Sequence, residues 1–336
     1  MAAPLVAPPL LEIRGLRTHF VTEAGVARAV DGVDLDIRHG EVLGLVGESG
    51  SGKSVTALSI LRLIPDPPGR IVGGEILYNG RDLLKLPLDE VRSIRGKDIS
   101  MVFQEPMTSL NPVFTIGMQV TEVILAHERV SHDDAHGRAV AMLTEVGIPD
   151  AAARMRQYPH HLSGGMRQRV MIAMALVLNP SLLIADEPTT ALDVTIQAQI
   201  LDLMLELKAR REGAAILLIT HNLAVVAETC DRMAVMYGGK IQEVAPVDEL
   251  FRNPLHPYTQ GLIGSIPTVS GPKARRLTVI PGTVPDIHDL PAGCKFVTRC
   301  PHRFEPCQDI EPPLLEISPG HLVRCHLYPD AAGAHG

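Results

Sequence analysis

Residues 47–54 read Gly-Glu-Ser-Gly-Ser-Gly-Lys-Ser and complete the pattern G-x-x-x-x-G-K-[ST]; few octapeptides confine a chain's fold so narrowly. The run before it, Glu41-Val42-Leu43-Gly44-Leu45-Val46, is apolar and short enough for a buried strand. The run after it, Val55 to Ile64, has helical spacing and stops at Pro65. In that strand–loop–helix setting, Gly47, Gly50 and Gly52 free the backbone around Ser49 to turn successive N–H groups onto phosphate oxygens. The helix N-terminus adds its partial positive charge. Lys53 is expected at the β- and γ-phosphates and the Ser54 hydroxyl at Mg²⁺. A bare glycine-rich turn with an exposed lysine would leave the flanking strand and helix unexplained. The segment therefore reads as a nucleoside-triphosphate site.

Three later segments add chemistry. Leu182-Leu183-Ile184-Ala185 is an apolar strand that delivers Asp186 to a sheet edge, where a carboxylate can hold Mg²⁺ through water. Glu187 follows at once, placed to orient or deprotonate a water in an in-line displacement, and Pro188 turns the chain away. Leu162-Ser163-Gly164-Gly165-Met166-Arg167-Gln168-Arg169 offers a hydroxyl and bare backbone N–H groups at the start of a helix, a second phosphate cradle more than a hundred residues after Lys53. His221 stands in Leu218-Ile219-Thr220-His221. Taken singly, a histidine is usually a core or surface residue and an Asp-Glu pair a solvated loop. Together, in this order, the segments resemble the ATP-binding-cassette (ABC) ATPases, whose signature is LSGGQ. Met166 replaces the usual Gln, as it does in the peptide-importer branch.

That resemblance implies further roles. Gln104 would sit in the loop that senses the γ-phosphate and Mg²⁺ and carries that state to a membrane partner. His221 would contact the γ-phosphate, and Leu192-Asp193 would cross a dimer interface. Ser163, Gly164 and Gly165 would act on the ATP of the opposite subunit, so the working unit would be a head-to-tail dimer. Phe20, in Leu16-Arg17-Thr18-His19-Phe20, occupies the place of an adenine-stacking aromatic, although a phenylalanine there is also an ordinary core residue. The implied fold is α/β: a P-loop ATPase with a RecA-like core, an antiparallel β subdomain and a helical subdomain.

Composition sets outer limits. A length of 336 residues, with 46% apolar and 21% charged residues, suits a globular protein larger than one average domain. A formal charge of −7, 3% aromatics and no Trp leave neither a basic footprint nor a stacking platform for nucleic acid. The longest apolar run, near 170–178, ends at Asn179-Pro180, short of the roughly 18 residues that span a bilayer. The proline-broken N-terminus has no basic start, so a signal peptide is not expected and the chain is expected to work in the cytosol.

Along the chain, residues 11–21 and 28–38 alternate apolar and polar, and Glu75 to Tyr78 leads into an Asn79-Gly80 hairpin turn. From about 91 to 178 the periodicity is helical, with runs at Val120–Ala126 and Ala139–Val146 before the signature helix. Strands are expected at 181–185, 214–220 and 233–237. A helix over 191–211 joins the first two, with Leu201, Leu203, Met204, Leu205 and Leu207 on or near its buried face. This βα alternation predicts a parallel sheet with its ligand loops at the carboxyl edge. The cassette is expected to end at residue 251.

Residues 252–336 are rich in Pro and Gly and hold four of the five cysteines, so they would struggle to order by burial alone. The segment Asn253-Pro254-Leu255-His256-Pro257-Tyr258-Thr259 resembles the C-terminal extension of dipeptide/oligopeptide importer ATPases. Cys294, Cys300, Cys307 and Cys325 admit three readings. Disulfides are disfavoured in a reducing compartment. Zinc usually shows tighter knuckles, although His302, His321 and His326 could substitute. Four thiolates on looser loops can hold a [4Fe–4S] cluster, which the resemblance favours over zinc and over merely free thiols. Such a cluster would be a structural staple, far from the nucleotide. Cys230, in the apolar run from Ala224, reads as a core residue.

The resemblance to the D-type subunit of these permeases implies the partners: a homologous F-type ATPase, two integral membrane permeases and an extracytoplasmic substrate-binding protein. The chain would sit peripherally on the cytoplasmic face and power peptide uptake. Nickel, glutathione or glycan cargo would use the same machinery. A soluble ABC ATPase acting on nucleic acid or ribosomes would carry paired cassettes, coiled-coil insertions or basic patches.

Overall fold

A computed structural model describes residues 8–104, 109–188, 194–266 and 280–328. Two compact units divide the chain. One comprises Met1–Ile37, Val42–Leu84 and Thr220–Gly336; the other comprises Arg38–Glu41 and Lys85–Ile219.

In the first unit, β1 (Leu11–Thr22) and β2 (Gly25–Ile37) form an antiparallel hairpin. β4 (Gly69–Tyr78) pairs on the far side of β1, with Leu11 opposite Tyr78. Asn79 and Gly80 take φ of 47° and 77° and return the chain into β5 (Arg81–Asp82), as a two-residue Asn-Gly turn requires. Leu11, Ile13, Leu16 and Thr18 of β1 are fully buried.

The same unit holds β3 (Val42–Val46), which leads into helix α1 (Lys53–Ile60) and runs parallel to β9 (Arg232–Tyr237). Both strands are buried along their whole length, the pattern of parallel strands covered on two faces. Gly238 and Gly239, at φ of 56° and 77°, turn β9 back into β10 (Lys240–Pro246). Beyond α9 (Val247–Arg252) and α10 (Pro257–Gly264), the chain returns to this sheet: β12 (His321–Val323) pairs with β10, and β11 (Leu315–Ser318) pairs with β12. The change of composition at 251 thus marks no boundary between compact units. Tyr237, Tyr258 and Phe296 pack ring on ring, with centroids 4.7 and 5.3 Å apart, in one core with Val46, Leu250 and Val297.

Cys230 caps the C-terminus of α8 (Leu223–Thr229). It is half-buried against that core, not fully inside it.

In the second unit, β6 (Ile99–Val102), β7 (Leu182–Asp186) and β8 (Ala215–Ile219) are parallel, with β7 central and every residue buried. The helical stretch contains α2 (Leu88–Ile94) before β6. After β6 come α3 (Ile116–His127), α4 (His132–Glu145), α5 (Ala151–Arg154) and α6 (Gly164–Leu176). Ser131 starts α4 by accepting from Asp134 N, while Asp133 and Asp134 face the positive end of the helix. Ala135, Ala139 and Leu143 form its buried stripe. Helix α7 (Val194–Ala209) connects β7 to β8, burying Leu201 and Met204 and half-burying Leu203 and Leu205. Leu192-Asp193 lies outside the described residues, as does the side chain of Leu207.

Candidate functional site: a phosphate loop, a carboxylate turn and a cysteine cavity

The loop after β3 adopts its shape because two positions accept nothing but glycine. Gly47 and Gly52 have φ of 156° and 106°; a Cβ would stand 2.1 Å from Met236 O at the first and 2.3 Å from Ala29 O at the second. Ser49 and Gly50 are exposed at the crest. Lys53 is buried, and its Nζ donates to Gly47 O at 2.8 Å, Glu48 O at 3.0 Å and Ser51 Oγ at 3.3 Å. The ammonium is thus held beneath the loop by the loop's own carbonyls. Ser54 is half-buried in the first turn of α1. This arrangement of exposed backbone, helix start and captive amine suits a polyphosphate.

His221 follows Thr220, whose N–H donates to Leu45 O at 3.3 Å, so it is placed at the carboxyl end of the strand before the phosphate loop. It is exposed, just ahead of Asn222, which caps α8 by accepting from Ala224 N and Val225 N. Phe20 on β1 is half-buried, and its ring leans over Gly69, where a Cβ would meet Phe20 Cε1 at 2.6 Å.

In the second unit, Asp186 is the buried last residue of β7. Glu187 adopts φ of 45°, a left-handed conformation costly for a residue with a Cβ, and its N–H donates to Ile219 O at 2.9 Å. That turn aims the carboxylate out of line with the strand. Gln104 Nε2 donates to Glu187 Oε2 at 3.2 Å, so the two residues expected to act on water and the γ-phosphate are in contact. Gln168, which no sequence signal singled out, is buried in α6 and donates to Pro188 O. It ties the signature helix to the Asp186-Glu187-Pro188 turn. Ser163 caps α6 by accepting from Met166 N, and its exposed start with Gly164 and half-buried Gly165 leaves helix N–H groups open to an anion.

The cysteines converge. Cys294, Cys300, Cys307 and Cys325 line one small cavity together with His256 and His302; His326 also borders it. His321 does not, because its Nε2 pairs with the buried carboxylate of Glu243 at 2.7 Å. Burial pushes the thiol of Cys294 up to about 12 and that of Cys325 up to about 11. Although the thiols share a cavity, among the described residues no group of three or more His, Cys, Asp or Glu side chains is arranged to hold a metal ion. His256 is fully buried, and burial lowers its pKa to about 4, so the ring is neutral. Its Nδ1 accepts from Tyr258 N at 3.0 Å, which places the proton on Nε2. That buried Nε2 has no hydrogen-bond partner among the described residues.

The tail also reaches the phosphate loop, contrary to the remote staple expected from the sequence. Tyr258 Oη accepts from Glu48 N at 2.9 Å, and Arg299 forms a two-pronged ion pair with the Glu48 carboxylate at 2.6 and 3.1 Å. Glu48 fills an unspecified position of the phosphate-loop pattern, Arg299 lies in no motif, and the two are 251 residues apart.

Comparison with known proteins agrees with this geometry. A family model described as ABC transporter matches residues 30–190, and one for the oligopeptide/dipeptide transporter C-terminal region matches residues 242–307. A probable peptide ABC transporter ATP-binding protein of Sinorhizobium fredii is 53% identical over 316 residues, covering 94% of each chain. An oligopeptide transport ATP-binding protein of Bacillus subtilis is 51% identical over 323 residues, covering 96% of this chain and 90% of its own. Among solved structures, the cassette MJ0796 in a post-hydrolysis state bound to ADP and Pi superposes with a TM-score of 0.64 at 27% identity. It covers 70% of this chain and 98% of its own. The chain belongs to the ATP-binding subunits of ABC transporters, in the branch that carries the oligopeptide/dipeptide transporter C-terminal region.

Proposed function

We propose that this ATPase powers the uptake of dipeptides or oligopeptides from the cytoplasmic face of the membrane, where it is a peripheral subunit. The ATPase part of the reading is carried by the Gln104–Glu187 contact beside Asp186, in a chain whose phosphate loop cages Lys53. The peptide cargo is supported by the C-terminal region matched at 242–307 and by the peptide-transport relatives. Lys53 and the backbone N–H groups from Ser49 to Ser54 would hold the phosphates. Ser54 in the one unit and Asp186 and Gln104 in the other would each offer an oxygen ligand of the kind Mg²⁺ takes, and the bound ion would neutralise charge on the phosphates. Glu187 would orient and deprotonate water while Gln104 steadies its carboxylate, and His221 would donate to the γ-phosphate. Phe20 would stack on adenine. Ser163, Gly164 and Gly165 would engage the nucleotide of a second ATPase.

Like others of its family, the chain dimerises and works with membrane permeases. The second ATPase is proposed to be a homologous F-type subunit, with two permeases and an extracytoplasmic binding protein completing the importer. No helix among the described residues is long and apolar enough to cross a membrane. The test is peptide-stimulated ATP hydrolysis by the complex reconstituted with its permeases and binding protein. Stimulation by nickel, glutathione or a glycan, and none by peptides, would overturn the cargo reading.

The tail is proposed to hold a [4Fe–4S] cluster. Two features support it: four thiols on one cavity, and, on a histidine lining it, the Nε2–H of His256, which has no hydrogen-bond partner among the described residues. Such a donor needs an acceptor, and cysteinyl or inorganic sulfur supplies one. Cys294, Cys300, Cys307 and Cys325 would be the ligands, and the bound cluster would supply a covalent staple. Anaerobically purified protein should contain about four iron and four sulfide per chain. Stoichiometric zinc, or no metal, would remove the cluster.

A further inference from the structure

Glu48 stands at the junction of two networks. On the loop side, its carbonyl accepts from Lys53 Nζ at 3.0 Å and from Ser51 N at 3.2 Å. On the tail side, its N–H donates to Tyr258 Oη, and its carboxylate is gripped by both terminal nitrogens of Arg299. Every polar group of this one residue is therefore committed either to the lysine that meets the phosphates or to the C-terminal extension.

The tail side is rigid. Tyr258 is fully buried, with its ring against Tyr237 and Phe296. The Arg299 side chain is 4% exposed and lies 5.8 Å from the ring centres of Tyr237 and Phe296. Its Nε donates to Pro281 O and its Nη2 to Ile280 O, so the fork is fixed before it meets Glu48. Arg299 lies between Cys294 and Cys300 in the chain, in backbone tied turn by turn: Arg299 N donates to Phe296 O, Val297 N to Cys294 O, and Cys294 N to Cys307 O. The fold of 294–307 thus sets where the guanidinium stands.

Charge gives this a consequence. A carboxylate on a phosphate loop repels a triphosphate, and a paired guanidinium offsets it. We propose that Tyr258 and Arg299 are positioning residues of the nucleotide site, which hold and neutralise Glu48 so that the fold of the four-cysteine segment is read out as affinity for the triphosphate. The inference rests on the phosphate-loop reading above and goes beyond it, because it makes the extension part of the ATP site.

The test is an equilibrium titration of the full-length chain with the magnesium complex of a non-hydrolysable ATP analogue, with thermal melting measured alongside. Arg299→Gln is expected to weaken binding about tenfold, the scale of one charge-assisted pair. Tyr258→Phe keeps the ring and strands only the half-buried Glu48 N–H, so it should weaken binding several-fold with a smaller fall in melting temperature than Arg299→Gln. Glu48→Gln placed in the Arg299→Gln background should restore most of the affinity, because the unpaired charge is gone. Cys300→Ser should shift affinity in the same direction as Arg299→Gln and add little to it. A purely structural Arg299 would lower the melting temperature without that rescue, which would overturn the proposal. So would Arg299→Gln and Tyr258→Phe both binding within twofold of wild type while Lys53→Ala has lost binding. If Lys53→Ala itself bound normally, the phosphate-loop reading would fail, and this inference with it.

Discussion

Gln104 donates its side-chain N–H to the carboxylate of Glu187 at 3.2 Å, joining two residues 83 positions apart in sequence. The contact is possible because Glu187 is turned out of the strand direction by its left-handed backbone, with its N–H anchored on Ile219 O. In this contact the residue proposed as the general base is held by the one that the resemblance makes a γ-phosphate sensor.

Replacing Glu187 by Gln should preserve nucleotide binding and lower turnover by about two orders of magnitude or more, the range for loss of a positioned base. Gln104→Ala should lower turnover by about tenfold, since it removes orientation and not the base. Steady-state ATP hydrolysis by the reconstituted transporter checks both. Turnover within a few-fold of wild type in Glu187→Gln would exclude the base role.

Lys53→Ala should abolish most triphosphate binding by the isolated chain, because the amine aimed by Gly47 and Glu48 is gone. Ser163→Arg should leave that binding intact and stop turnover in the assembled complex. Loss of binding in isolated Ser163→Arg would contradict a site shared between subunits.

Alanine at Gly47 should destabilise far more than alanine at Gly50. Both positions have positive φ, which costs about 1 kcal/mol for a residue with a Cβ. Only at Gly47 would the Cβ also collide with a carbonyl at 2.1 Å; at Gly50 it meets nothing within 4 Å. Urea denaturation of the two variants gives the comparison, and equal losses would refute the steric account.

Gln168→Ala strands the Pro188 carbonyl and should cost about 1–3 kcal/mol of stability, the range for an unsatisfied buried partner. Turnover should fall more than nucleotide affinity, because the tie runs to the turn carrying Glu187 and not to the phosphate loop. A fall in affinity alone, measured by titration, would place Gln168 elsewhere in the cycle.

Much of the site was legible before folding was considered. The glycines, Lys53 and Ser54 announce a phosphate cradle because only certain residues tolerate that backbone. The apolar run before Asp186 announces a strand that ends there, and β7 does. The strands expected at 181–185, 214–220 and 233–237 appear as β7, β8 and β9, each within a residue or two at either end. The signature helix begins where Ser163 can cap it. These are local matters of backbone geometry and periodicity, and they are written in consecutive residues.

What the tail does was not legible in the same way. Its proline-rich composition suggested a separate, stapled appendage, yet β12 pairs with β10 and Arg299 grips Glu48. His321 looked like a fourth-ligand substitute from its nearness in sequence, and the fold pairs it with Glu243 instead. Neither outcome has a local signature, because an arginine, a tyrosine and a glutamate are unremarkable until tertiary packing removes them from water. Amino-acid order by itself determined the phosphate loop, the carboxylate turn and the strands that carry them, since each depends on neighbours a few residues away. Only the tertiary structure decided that Tyr258 and Arg299 meet Glu48 of the phosphate loop, because burial between elements far apart in the chain both selects their partners and makes those partnerships strong.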